Sequence, residues 1–274
     1  VSEQSPLHVV GALRIKNESS WICEVLRSWL PVCERIFIFD DHSTDGTPEL
    51  IERESLPGGQ LDSRVIVTRS NFVGINESKD KQFLIDVVMN SVFYRDDANG
   101  GTHWPDVLVT PDGDELLDQR DIPLLLSLFL DKSTIAWRAR ILYLWNSRSQ
   151  VRVDGVYRNF NRPTFWRMIN VGFKYQSTPW GKDPDTGLPV NFHCSSIPQE
   201  LLYKAVETNV RILHLGYMNK EDRIRKWKFY NRIDPNNVGE DCYRHCVAGD
   251  VPEVPADARL KHAGPLEIVP LDSL

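Results

Sequence analysis

Apolar residues in the first half of this chain change their spacing at short, regular intervals. Leu7 to Ile15 (LHVVGALRI) is an apolar and β-branched run of strand length. From Asn17 the spacing switches: Trp21, Ile22, Val25, Leu26, Trp29 and Leu30 recur every three or four residues and give a helix one apolar face. Arg35 to Asp40 (RIFIFD) reads as a second buried strand, and Thr47 before Pro48 predicts the cap and first residue of a helix through Glu54. Arg64 to Thr68 predicts a third strand, Lys79 to Phe93 a further helix, and Val107 to Thr110 a fourth strand. Such alternation predicts an α/β fold with a mostly parallel sheet, whose ligands bind beyond the carboxyl ends of the strands.

Acidic residues collect at those ends. Asp40 and Asp41 close the second strand, while Asp112 and Asp114, with Glu115 behind them, follow the fourth in VLVTPDGDELL. Carboxylates two residues apart on an extended chain project to one side and repel unless a cation lies between them. One or two hard oxygen ligands suit Mg²⁺ or Mn²⁺, which fill their remaining positions with water and substrate phosphate. The competing reading is an acidic turn, because Asp and Gly are ordinary turn residues. Asp41 can likewise serve as a local cap.

Together, RIKNESSWICEVLRSWLPVCERIFIFDDHSTDGT, the later DGDE, and HLGYMNKEDRIRKWKFYNRIDP from His214 to Pro235 resemble family 2 glycosyltransferases of the GT-A fold. That resemblance implies a Rossmann-like, mostly parallel central sheet flanked by helices, with a C-terminal helix and an irregular tail. It divides the chain into a nucleotide-sugar-binding half (1–118), an acceptor-binding half (119–235) and a tail (236–274). By position, Ala12, Arg14 and Glu18 would line the nucleotide, Asp41 would bond its base or ribose, and Asp112 would face ribose and metal. Asp114 would ligate Mn²⁺ or Mg²⁺ directly, with His214 as a further ligand or, on its own pattern, a core histidine. The family's arginine on the helix after the third strand is missing; Lys79 and Lys81 flank Asp80 there, and Lys81 is the candidate nucleotide contact. The implied reaction moves a sugar from a nucleoside diphosphate donor to a hydroxyl acceptor (a glycan, a lipid-linked or a small molecule) with inversion. An Asp or Glu well after the metal motif would remove the acceptor proton: Asp183 or Asp185, with Glu200 behind them. Two alternatives stand beside it. A sugar-phosphate nucleotidyltransferase would want a glycine-rich phosphate loop where RIKNES stands. A non-catalytic nucleotide-sugar-binding relative would lack a proton acceptor.

Composition narrows the partners. The chain has 274 residues, 41% hydrophobic, with a net charge of −6, which argues against general nucleic-acid binding. Basic residues nevertheless cluster after Trp137, namely Arg138, Arg140, Arg148, Arg152, Arg158, Arg162, Arg167 and Lys174, against the single acid Asp154. That cluster reads as a wall facing a diphosphate or an anionic acceptor. A second cluster on the C-terminal helix (Arg223, Arg225, Lys226, Lys228, Arg232) reads as a solvated face. The odd set Cys23, Cys33, Cys194, Cys242 and Cys246 forms no disulfide framework or zinc pattern, and no leader pattern is present; a cytoplasmic or membrane-peripheral setting is expected. The longest apolar run, Ile122 to Leu130, is far shorter than a membrane span and reads as a core helix introduced by Asp121. Thr134 to Leu144 predicts a strand with Arg138 and Arg140 on one face. Val151 to Tyr157 predicts a ribbon turning at Asp154-Gly155, and Asp96 to Gly101 a loop. Thr178 to Pro189 predicts a mobile loop over the donor, and Asn219 a cap for a helix from Lys220 to Ile233. Trp145, Phe165, Trp166 and Trp180 are candidates for a sugar-stacking platform or for core.

Overall fold

The computed structural model describes residues 7–91, 104–168, 172, 174–234, 243–260 and 262–274. Strand β1 (Val9–Ile15) lies between β2 (Arg35–Asp40) and β5 (Val107–Val109) and runs parallel to both. Strand β3 (Val65–Arg69) continues the parallel set beyond β2. The chain therefore steps outward from β1 to β3 and then returns to the other side of β1. The switch in direction falls between β1 and β5, where open α/β sheets leave a crevice at the carboxyl ends.

Alternation along β1 decides which side chains reach which layer. Val9, Leu13 and Ile15 enter a core with Ile22, Val25, Leu26 and Trp29 of α1 (Ile22–Trp29). Val10 and Ala12 face the other way, against Leu84, Ile85 and Val88 of α3 (Glu77–Met89). The same pleat puts Arg14 on the α3 side. Each fully buried aliphatic or aromatic side chain here contributes about 1.5–3 kcal/mol of transfer free energy. α2 (Thr47–Glu54) and α4 (Ile122–Leu130) join the α1 side through Ile51, Leu125 and Phe129.

Beyond β5 the sheet turns mixed. β9 (Asn161–Arg167) is antiparallel to β5 and to β7 (Ala136–Trp145); β7 in turn runs parallel to β12 (Val206–His214). The short β6 (Glu115–Leu117) is antiparallel to β12. A second, three-stranded sheet joins β4 (Ile75–Asn76) to the hairpin of β10 (Thr178–Lys182) and β11 (Pro189–Phe192). Helix α5 (Lys220–Ile233) follows β12 after a short turn. No helix among the described residues is long and apolar enough to cross a membrane.

Several expectations shift in position. Gly46, at φ 81°, precedes α2, so Thr47 is its first residue and not its cap. Helix α3 begins two residues early, at Glu77, because the Asn76 side chain accepts from Lys79 N and closes the first turn; Phe93 lies outside the described residues, as does the Asp96 to Gly101 loop. The ribbon turns at Asn146 (φ 64°) between β7 and β8 (Ser147–Arg152), while Asp154 is buried against Arg152 at 2.7 Å. Thr178 to Pro189 is most of the β10–β11 hairpin and not a free loop. Within the expected tail, β13 (Ile268–Pro270) pairs with β8 at the sheet edge. Trp145, Phe165 and Trp166 are core residues at 1%, 0% and 2% exposure, so no platform forms from them; the side chain of Trp180 and all of Cys242 lie outside the described residues.

Candidate active site

The turns after β1 and β2 knit together before any ligand enters. Asn17 N donates to Ser43 Oγ at 2.8 Å, Glu18 N to Thr47 Oγ1 at 2.9 Å, and Ser19 N to Asp45 Oδ2 at 3.0 Å. Asp40 Oδ2 accepts from Ser43 N at 3.1 Å. Most of the DDHSTDGT stretch is therefore scaffold that fixes the K-N-E turn. Asp41 is the exception. Its buried carboxylate accepts from Arg14 Nη2 at 2.6 Å and lies 3.4 Å from Lys16 Nζ. Arg14 also donates through Nε to Asp80 Oδ2 at 2.8 Å, spanning the ends of β1, β2 and α3. Burial alone would lower the pKa of Arg14, but Glu77, Asp41 and Asp80 outweigh it and the charge is secured.

After β5 the backbone closes a turn in which Glu115 N donates to Asp112 O at 3.1 Å. Both aspartates line one cleft, yet their carboxylates serve different partners. Asp112 Oδ2 takes Arg162 Nη1 at 2.5 Å, and Arg162 also bonds the buried Glu115. Asp114 Oδ2 takes Lys226 Nζ at 2.6 Å, while its Oδ1 faces His214 Nε2 across 3.8 Å. Gly113 is required between them, since a Cβ would meet Glu18 Cγ at 2.8 Å and Ile15 Cγ2 at 2.9 Å. Gly216 is required for the same reason, because a Cβ there would collide with Asp114 Oδ2 and Lys226 Nζ.

A cavity of about 410 Å³ gathers Arg14, Glu18, Asp41, Asp112, Asp114 and His214, six of the residues predicted from sequence, with Lys226 on its far wall. Ala12 is not among them; at 4% exposure in the apolar layer under α3, it lines a small adjoining pocket of about 20 Å³ with Arg14, Lys81 and Asp112. Lys81 faces a neighbouring cavity, with Nζ donating to the carbonyls of Cys194 and Ser195, both at 3.0 Å. Asp183 and Asp185 sit in the β10–β11 hairpin and pair with Arg232, lining neither large cavity. Asp183 Oδ1 also caps its own turn by accepting from Asp185 N at 2.8 Å. Glu200 is exposed in a helical turn before β12. Sequence reasoning passed over Glu77, which lines both cavities, and Lys226, which it placed on a solvated face.

Most of the arginines after Trp137 are tied to partners away from both cavities. Arg148, Arg152 and Arg158 pair with Glu24, Asp154 and Glu267, and Arg167 donates to carbonyls of Phe129, Asp131 and Thr134. Arg138 and Arg162 are the ones that border the neighbouring cavity.

Electrostatics separates the acids. Burial and then Asp114 push the carboxyl of Glu18 up to about 9, and burial with Asp112 raises Glu115 to about 7 against the pull of Arg162. Burial also works against the charge on Asp114, yet His214 and Lys226 hold it below the usual carboxylate range. Since burial keeps His214 neutral by lowering it to about 4, Lys226 is the partner that carries charge.

Among the described residues no three His, Cys, Asp or Glu groups converge tightly enough to hold an ion by themselves. The donor chemistry nevertheless fits Mn²⁺ or Mg²⁺ completed by water and phosphate. Asp114 Oδ1 and a neutral imidazole face each other at a span one ion could bridge, with Asp112 on the same turn. Gly216 N lies 3.2 Å from His214 Nδ1, which places the ring proton on Nε2; ligation through Nε2 would therefore change the tautomer.

No protein-family model and no curated protein matches the sequence. Among solved structures, the chain is similar to S. aureus TarS 1-349 (10% identity, TM-score 0.41, covering 88% of this chain and 70% of that one). The same protein in complex with UDP-GlcNAc gives 12% identity and a TM-score of 0.36 over 59% of this chain and 45% of that one. Glucosyl-3-phosphoglycerate synthase from Mycobacterium tuberculosis, in complex with Mn²⁺, UDP-glucose and phosphoglyceric acid, gives 17% and 0.32 over 50% and 44%. This chain spans 23% of the longer TarS structure. At identities and scores this low, function has to be read from the cleft itself.

Proposed function

We propose that this chain is a metal-dependent glycosyltransferase that moves a sugar from a nucleoside diphosphate donor to a hydroxyl acceptor with inversion. One observation carries the reading. Acids from the carboxyl ends of β2 and β5, cations from β1 and α5, and the imidazole ending β12 all meet in one cleft at the switch point of the sheet. Such a cleft suits a ligand with a polar ring at one end and a diphosphate at the other.

Arg14, Lys16 and Asp41 would receive the nucleoside end, with Glu18, whose carboxyl pKa is raised by burial and Asp114 in the metal-free cleft, beside them. Asp114 and His214 would hold the divalent ion, with Asp112 between ion and ribose. When bound, that ion neutralises charge growing on the departing diphosphate. Lys226, fixed 2.6 Å from Asp114, adds a second cation on the same side, and its effect is largest where the leaving charge is largest. The pairing of Asp183 and Asp185 with Arg232 favours a proton acceptor elsewhere.

A thermal-shift panel of nucleoside diphosphates and their sugars, with and without Mn²⁺, tests this reading. At least one nucleoside diphosphate should raise Tm, and more so with Mn²⁺. Asp114→Ala should remove the Mn²⁺-dependent increment while the unliganded protein still melts cooperatively. No shift from any member of the panel would overturn the assignment.

A further inference from the structure

A second cavity, about 510 Å³, lies beyond Asp112 from the first and shares Glu77 and Asp112 with it. Its charges are handled differently. In the first cleft, Arg14 meets Asp41 and Asp80, Lys16 meets Asp41, Lys226 meets Asp114, and Arg225 meets Asp222. In the second, Arg162 meets Asp112 and Glu115, whereas Lys81 and Arg138 meet main-chain oxygens. Lys81 Nζ donates to Cys194 O and Ser195 O; Arg138 donates through Nη2 to Leu202 O at 2.7 Å and through Nε to Ala205 O at 3.3 Å. Among the described residues neither cation reaches a carboxylate. Carbonyl partners fix the direction of a cation without cancelling its charge. Asp112 and Glu77 line the same cavity and temper these charges without contacting them, so two half-buried cations held by neutral carbonyls keep charge that an arriving anion can pair. A guanidinium aimed by two carbonyls also presents its remaining N–H edge in the planar geometry that oxyanions match.

We propose that this cavity is the acceptor site and that the acceptor bears an oxyanion, a phosphate or a carboxylate, held by Lys81 and Arg138. The inference rests on the transferase reading above. Glu77 stands where the two cavities join. Its Oε2 accepts from Cys194 N at 2.9 Å, and its Oε1 lies 4.0 Å from Arg14 Nη1, so the carboxylate is oriented at the seam. The other shared carboxylate, Asp112, is bound by Arg162. In the step that follows, the acceptor hydroxyl oxygen bonds to the anomeric carbon of the donor sugar and its proton passes to Glu77. The bond from that carbon to the phosphate oxygen breaks, and its electron pair leaves with the nucleoside diphosphate.

The test uses the protein saturated with whichever nucleoside diphosphate stabilises it. Glycerol 3-phosphate, glucose 6-phosphate, glycerate and glucuronate are then added beside neutral glycerol and glucose, and binding is read from the further rise in Tm. At least one anionic probe should bind while its neutral counterpart does not; phosphates against carboxylates separate the two oxyanion types. Arg138→Ala should weaken that probe about tenfold or more and leave the nucleoside diphosphate affinity within about twofold. Because Arg138 also braces two carbonyls, Lys81→Met and Arg138→Lys are run in parallel, the lysine variant retaining part of the affinity. Equal binding of neutral probes, no binding of any anion, or an anion whose affinity ignores all three variants would overturn the inference. Absence of nucleoside diphosphate binding to the unaltered protein would instead defeat the transferase reading, and this one with it.

Discussion

The two cavities on either side of Asp112 are built from the same sheet and leave different amounts of positive charge without an acid in contact. On the side of β1 and β2, cations are matched by acids of the chain: Arg14 is held between Asp41 and Asp80, and Lys226 sits on Asp114. On the side of β7 and β9, Arg162 is matched by Asp112 and Glu115, but Lys81 and Arg138 rest on carbonyls. A self-balanced surface tolerates a ligand that brings its own counter-ion, as a diphosphate with a divalent metal does. An unbalanced one selects for a bare anion. The difference turns one crevice into two sites with separate chemical demands.

Three measurements break or sharpen that contrast. The largest effect belongs to the seam. Glu77→Gln should lower kcat for transfer by about 10²–10⁴, a loss far larger than any accompanying change in donor affinity. Asp183→Asn and Asp185→Asn should change kcat by no more than about twofold. The reverse pattern would move the proton acceptor to the β10–β11 hairpin.

Next comes the balanced side. Lys226→Met leaves Asp114 buried with one fewer cation and should cost about tenfold to a hundredfold in kcat/KM for the donor. An unchanged kcat/KM with a lowered Tm would reduce Lys226 to a structural tie.

The smallest effect is a change of slope. Glu18 moves from an ordinary value of 4.5 to about 9 in the fold, so the folded chain keeps a proton that the unfolded chain releases. Its contribution to stability is complete below pH 4.5 and is lost as pH rises towards 9. Glu18→Gln should flatten that alkaline decline in urea midpoints measured without divalent ions. An identical decline would show the carboxyl to be ionised in the fold.

Legibility in the sequence followed the range of the interactions. β1, α1 and β2 were readable because their apolar periodicity is local, and Asp41, Asp112 and Asp114 because each lies in the turn that follows a strand. Lys226 was not readable. Its partner lies 112 residues away, and on a helix also carrying Arg225, Lys228 and Arg232 it looks like one more solvated charge. Glu77 was missed through a two-residue error in the start of α3, which left it in a loop without a role. The hairpin from Thr178 was misread because its pairing with β4 depends on a strand of only two residues, too short to leave a periodic trace. The arginines after Trp137 misled in the other direction. Their acids, Glu24 and Glu267 among them, come from distant parts of the chain.

Arg14 has one further consequence. It bolts β1 to Asp80, one turn along α3 from Glu77 and adjacent to Lys81, so a single clamp sets the position of groups in both chambers. Neither chamber can be resized alone. A substitution that reseats that guanidinium on the first side would be felt as altered selectivity on the second, and engineering one substrate preference means retuning the other.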